Sequence, residues 1–265
     1  MKYIALRHGI WARGSLVISF FILIGNFFSP PDVLAGQYEV AMSQNEAVCK
    51  SSSRFFTDYI ELLHKRFPDV ASIVWRPNIA DILIRDGHAE FSIIDWTEVQ
   101  QLVPDLQMKK GEITQASVDI DNDGQLDLVV RIQWNLRGLP TDMLAIFGGK
   151  SKPLGEIRDF SLNLLDQAES VLDFTEQGYG LKKTRGKAES DHGGGRTIGA
   201  FELVPFRLND TTYISISNPY LSEDKDWNRW RVIAKYTGSS NLEDVCYLER
   251  VKQESSKSQT DRKER

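Results

Sequence analysis

Two runs rich in β-branched and aliphatic residues, Glu112–Asp119 and Leu126–Trp134, are joined by Asp119-Ile-Asp121-Asn-Asp123-Gly124-Gln125-Leu-Asp127. The flanks suit a pleated, half-buried surface. The joining residues are turn formers, and Gly124 permits the sharp bend that lets the chain double back. The segment therefore reads as two antiparallel strands around an acidic loop, and it commits this part of the chain to sheet.

Four carboxylates fall at loop positions 1, 3, 5 and 9, with glycine at position 6. Carboxylates about 5 Å apart repel by roughly 3 kcal/mol per pair at an effective dielectric near 20, so the crowding calls for a counter-charge. Ca²⁺ takes six to eight oxygens in flexible geometry, whereas Mg²⁺ demands tighter octahedral order and keeps its waters. The expected ligands are the side chains of Asp119, Asp121, Asp123 and Asp127 and the backbone carbonyl of Gln125. A metal-free turn built from Asp, Asn and Gly is the competing reading. An EF-hand is excluded, since position 12 holds Val130 in place of the bidentate Glu, and the flanks favour strands over helices.

Asp119 to Val130 resembles the loop of FG-GAP and VCBS-type repeats, D-x-D-x-D-G-x-x-D followed by a short hydrophobic strand. That resemblance implies a calcium site. It does not extend to the propeller fold of those repeats, which needs several blades, and the chain carries one such loop.

The N-terminal segment reads as an export signal. Lys2, Arg7 and Arg13 form a basic region, Leu16–Phe28 is largely apolar, and Val33 and Ala35 suit a cleavage site after Ala35. The apolar run is shorter than the about 20 residues of a spanning helix, so no membrane span is expected after cleavage. The expected location is periplasmic or secreted. Removing residues 1–35, which carry three basic residues and Asp32, takes the formal charge from −5 to −7. An acidic chain is a poor partner for nucleic acid. Cys49 and Cys246 are the two cysteines, and an even count in an exported chain predicts a disulfide between them.

The rest of the mature chain reads as a single α+β domain over 36–252: mainly antiparallel sheet, an N-terminal helix and a central helical segment. Ser43 and Glu46 have capping-box spacing. Phe55, Phe56, Tyr59, Ile60, Leu63 and Phe67 follow at helical spacing, giving one helix over Ser43–Phe67 or two short ones broken near Ser51–Ser53. Candidate strands are Ser72–Arg76, Ile82–Arg85 and Ala89–Ile94, the last two flanking an Asp86-Gly87-His88 hairpin turn. Thr97–Leu102 reads as a helical turn, Arg137–Pro140 as a turn and Asp142–Phe147 as a strand. Leu154–Phe174 has helical periodicity with a possible break at Ser161–Asn163. A glycine-rich, basic loop at 177–196 precedes strands at Ile198–Arg207, Thr211–Ser217, Trp230–Tyr236 and Val245–Val251, and 253–265 is a charged tail expected to be disordered.

No catalytic constellation emerges. His192-Gly193-Gly194-Gly195 is similar to an oxyanion segment, but the G-x-S-x-G elbow that must accompany it is missing. His64 and His88 lack zinc-ligand spacing and read as helix-surface or turn residues. Lys182–Lys187 reads as a solvated loop, and Trp227 and Trp230 as packing residues before a sugar platform. The function expected is a non-enzymatic, calcium-stabilised binding or envelope-associated module, with a protein or polysaccharide partner. The alternative is an exported hydrolase acting on a sugar or envelope polymer through paired carboxylates.

Overall fold

The computed structural model describes residues 37–68, 75–101, 111–136, 139–148, 157–174, 179–180, 197–198, 202–218 and 230–251. The expected export signal, the expected Arg137–Pro140 turn in part, most of the glycine-rich loop, Trp227 and the 253–265 tail lie outside those residues, as does most of the Ser72–Arg76 candidate strand.

Two antiparallel sheets carry the fold. The larger has six strands, ordered β1 (Gln37–Ser43), β15 (Leu242–Val251), β14 (Trp230–Tyr236), β13 (Thr211–Ser217), β12 (Glu202–Leu208) and β2 (Phe91–Ile93). The smaller has five, ordered β3 (Thr97–Glu98), β5 (Glu112–Val118), β6 (Asp127–Leu136), β7 (Leu139–Phe147) and β9 (Ser170–Leu172). Short pairs complete the set: β4 (Gln100–Gln101) runs parallel to β8 (Asp159–Phe160), and β10 (Tyr179–Gly180) antiparallel to β11 (Thr197–Ile198). This is the α+β architecture, mainly antiparallel with an N-terminal helix, that the sequence predicts.

Side-chain alternation along the strands separates three apolar layers. On one face of the six-stranded sheet, Tyr213, Phe206, Ile233 and Leu248 pack against Phe55, Phe56, Tyr59 and Leu63 of α1 (Glu46–Arg66) and Ile79 of α2 (Pro77–Asp86). On the other face, Ile214, Ile216, Val232 and Ala234 meet Val118, Val129, Leu144 and Ile146 of the five-stranded sheet, together with Ile120 from the acidic loop. The outer face of the small sheet buries Ile113, Val130 and Ile132 under Phe160 and a short 3-10 helix, Leu162–Gln167. Cys49 of α1 and Cys246 of β15 form the predicted disulfide, with Cα atoms 5.4 Å apart and both residues fully buried.

Several local expectations are corrected. Helix α1 is capped by Asn45, whose side chain accepts from Val48 N at 3.2 Å; Ser43 is instead the last residue of β1, opposite Cys246. Ile82–Arg85 is helical. Pro77 supplies a preset φ at the first position of α2, and Gly87, at φ 145°, ends it in a conformation that favours glycine. Asp86-Gly87-His88 is thus a helix exit rather than a hairpin. Thr97–Leu102 contains strands β3 and β4 in place of a helical turn. The helical segment expected over Leu154–Phe174 narrows to the single 3-10 helix between β8 and β9, because Val171 and Leu172 pair with β7. At the margins of the 177–196 loop, Tyr179–Gly180 is strand, paired with Thr197–Ile198.

Candidate metal centre

The acidic loop closes the turn end of the β5–β6 hairpin. Val118, the last residue of β5, pairs with Asp127, the first of β6, so loop positions 1 and 9 stand on either side of its mouth. The loop folds on its own side chains. Gly124 N donates to Asp119 Oδ2 at 3.0 Å, Asp123 N to Asp121 Oδ1 at 3.1 Å, and Ile120 N to Asp127 Oδ2 at 3.2 Å. Two backbone conformations permit this: Asn122 at φ 62°, which Asn tolerates better than most residues, and Gly124 at φ 87°.

The result brings Asp119, Asp121 and Asp127 together, each with a carboxylate oxygen within 4.8 Å of the others. At that spacing each pair of charges repels by about 3 kcal/mol at an effective dielectric near 20. Asp127 is buried, and the other two are partly buried. Asp119 divides its two oxygens. Oδ2 closes the turn, while Oδ1 is sealed from solvent with no hydrogen-bond partner among the described residues. A buried carboxylate oxygen left bare is costly, and a cation beside it offsets that cost. The donor set is oxygen and anionic, which suits a hard divalent ion.

Asp123 and Gln125 lie outside this group of three. Both are exposed, and Asp123 Oδ1 accepts from Gln125 N at 2.9 Å. Burial raises the pKa of the Tyr236 hydroxyl, and the Glu169 carboxylate and, least, that of Asp121 add to the rise.

The loop is fastened to the second sheet by a residue that sequence reasoning passed over. Asn122 Oδ1 accepts from Thr212 N at 2.7 Å, and its Nδ2 donates to Thr212 O at 3.1 Å. The β13–β14 ladder covers Ile214–Ser217, and the Asn122 amide takes up the strand's backbone groups beyond it. Asp142 of β7 acts similarly on β12, accepting from Leu203 N at 3.0 Å while bonding Arg131 and Gln133 of β6. A polar network continues from there inside the fold. Glu202 accepts from Ser217 and from Trp75 N and lies 3.7 Å from the Arg231 guanidinium, which stands over the Phe56 ring. An Asn at loop position 4 was the only signal for the first contact; the second left none.

Away from the loop, α1 and α2 bound an open groove of about 280 Å³ lined by Arg54, Asp58, Glu61, Lys65, Asp86 and His88, among others. His88, read from sequence as a surface or turn residue, is buried and bonds Asp58 through Nε2 at 2.8 Å. Trp230 is buried and stacks on Tyr247 with centroids 4.4 Å apart, a packing role.

Among the described residues no helix is long and apolar enough to cross a membrane. Comparison with known proteins gave no match: no family model, no curated protein and no solved structure is similar to this chain. What the geometry defines is an α+β protein with an acidic group able to hold a metal ion at the junction of its two sheets.

Proposed function

We propose that this protein is an exported, calcium-stabilised binding or envelope-associated module without catalytic activity of its own. The observation that carries the metal is the bare, buried Asp119 Oδ1 within a cluster of three carboxylates. Calcium is favoured over magnesium because it takes six to eight oxygens in flexible geometry, and the loop adds Asp123 and the Gln125 carbonyl to its three clustered carboxylates. The ion's task is scaffolding: it fixes the loop whose Asn122 grips the second sheet. Export rests on the basic and apolar N-terminal segment and agrees with a buried disulfide. The partner is a protein or polysaccharide.

Isothermal titration of the purified protein with calcium, and separately with magnesium, tests the reading. Saturable calcium uptake that magnesium does not match supports it, and an absence of uptake overturns it. Fractionation of producing cells tests export: the reading requires the shortened chain outside the cytoplasm.

A further inference from the structure

Thr212 carries a second bare oxygen. It is 1 % exposed, and its Oγ1 is sealed from solvent without a hydrogen-bond partner among the described residues. Its side follows from strand alternation. Tyr213 packs on the helix side of the six-stranded sheet, whereas Ile214 and Ile216 pack on the side facing the smaller sheet. Thr212 shares the parity of Ile214 and Ile216, so its side chain stands on the face whose apolar layer includes Ile120, the residue between Asp119 and Asp121. Its own backbone is bonded on both polar atoms to Asn122, the next loop residue. A hydroxyl and a carboxylate oxygen, each buried and unpaired, thus belong to segments already tied together.

We infer that the Thr212 hydroxyl is a ligand, contributed by the second sheet, of the cation held by Asp119, Asp121 and Asp127. This rests on the proposed metal site and extends it: the ion spans both sheets and is not confined to its own hairpin. A neutral hydroxyl oxygen suits a hard cation that needs more oxygens than three carboxylates provide.

The test is calcium titration and thermal unfolding of the whole protein and three variants, Thr212→Val, Thr212→Ser and Asp119→Asn. Thr212→Val is expected to weaken calcium binding about tenfold, as loss of a supporting ligand does, and Thr212→Ser to restore it. In chelator, Thr212→Val is expected to melt no lower than the parent, since the change removes an unpaired buried hydroxyl at nearly constant shape. If Thr212→Val binds calcium like the parent while Asp119→Asn does not, the inference fails and the metal site stands. Weaker binding accompanied by a lower melting point in chelator, without rescue by serine, also overturns it, because that is general damage. If the parent takes up no calcium, the metal site itself fails.

Discussion

The side-chain amide of Asn122 is matched to the backbone of Thr212, donating to its carbonyl and accepting from its N–H as a neighbouring strand would. The pair joins the acidic loop of one sheet to a strand of the other across 90 residues of sequence. Asn122→Ala removes both bonds and also strains a residue at φ 62°, whereas Asn122→Gly removes the bonds and keeps the conformation accessible. Both variants should lose about 1–3 kcal/mol in urea unfolding, with alanine the worse of the two. Parental stability in the glycine variant would show that the amide contributes no net energy.

Metal removal should lower stability through the same loop. On the calcium reading proposed above, free calcium at 100 times the dissociation constant should add about 2.7 kcal/mol to the native state, which is several degrees in melting temperature for a chain of this size. Asp127→Asn keeps an oxygen for the Ile120 N–H, yet removes a charge from the clustered trio. It should abolish the calcium-dependent shift, as should Asp119→Asn. Asp123→Asn should reduce the shift less, because Asp123 stands outside the trio and is exposed. Scanning calorimetry with calcium or chelator checks the ranking.

The helix cap can be tested directly. Asn45→Ala should cost about 1 kcal/mol, the usual penalty for losing a capping side chain. Ser43→Ala should stay within about 0.5 kcal/mol, since Ser43 is an exposed strand residue. Denaturant midpoints of the two variants decide between the cap read from sequence and the one observed.

That contrast shows where the sequence was legible. The stripe from Phe55 to Leu63 was clear because a 21-residue amphipathic helix repeats its signal several times. The strands on either side of Asn209-Asp210 and of Gly238-Ser-Ser-Asn241 were clear because residues that tolerate positive φ separate them. Ile82–Ile84 was ambiguous: a three-residue apolar run suits strand or helix equally, and the deciding signals, Pro77 and Gly87, lie at its flanks. Strand β1 left little trace. It is held by pairing with β15 some 200 residues later, and its edge is satisfied by Ser53 and Thr57 of α1. The acidic trio was legible because its members lie within nine residues. Thr212 and Leu203 were not, because only the docking of the two sheets brings them to Asn122 and Asp142.

The disulfide closes a span of 197 residues, for which the chain-entropy model gives about 5 kcal/mol. Both cysteines are fully buried, so reductant should reach them only when the fold opens. Thiol titration should find the bond protected in native buffer with calcium and rapidly reduced in denaturing urea. The Cys49→Ala, Cys246→Ala double variant should lose roughly 2–5 kcal/mol. Fast reduction of the native protein would place the bond nearer the surface than described.

Glu202 should leave a mark on the pH dependence of folding. Its carboxyl is raised above the ordinary glutamate range, first by burial and further by Asp142, with Arg231 pulling the other way. The folded protein therefore holds this proton at pH values where the unfolded chain has released it. By linkage, stability from this group is fullest in acid and is lost as pH rises from the ordinary glutamate range through the folded value. Glu202→Gln removes the titration while its amide can still accept from Trp75 N and donate to Ser217, which the carboxylate meets now. The difference between protonated Glu202 and the neutral amide of Glu202→Gln is a constant offset, so the slope carries the test. Urea unfolding across mildly acidic to neutral pH should show the parent losing stability relative to Glu202→Gln as pH rises. Parallel profiles would mean that the Glu202 proton is not linked to folding, and that Arg231 holds the carboxylate ionised throughout.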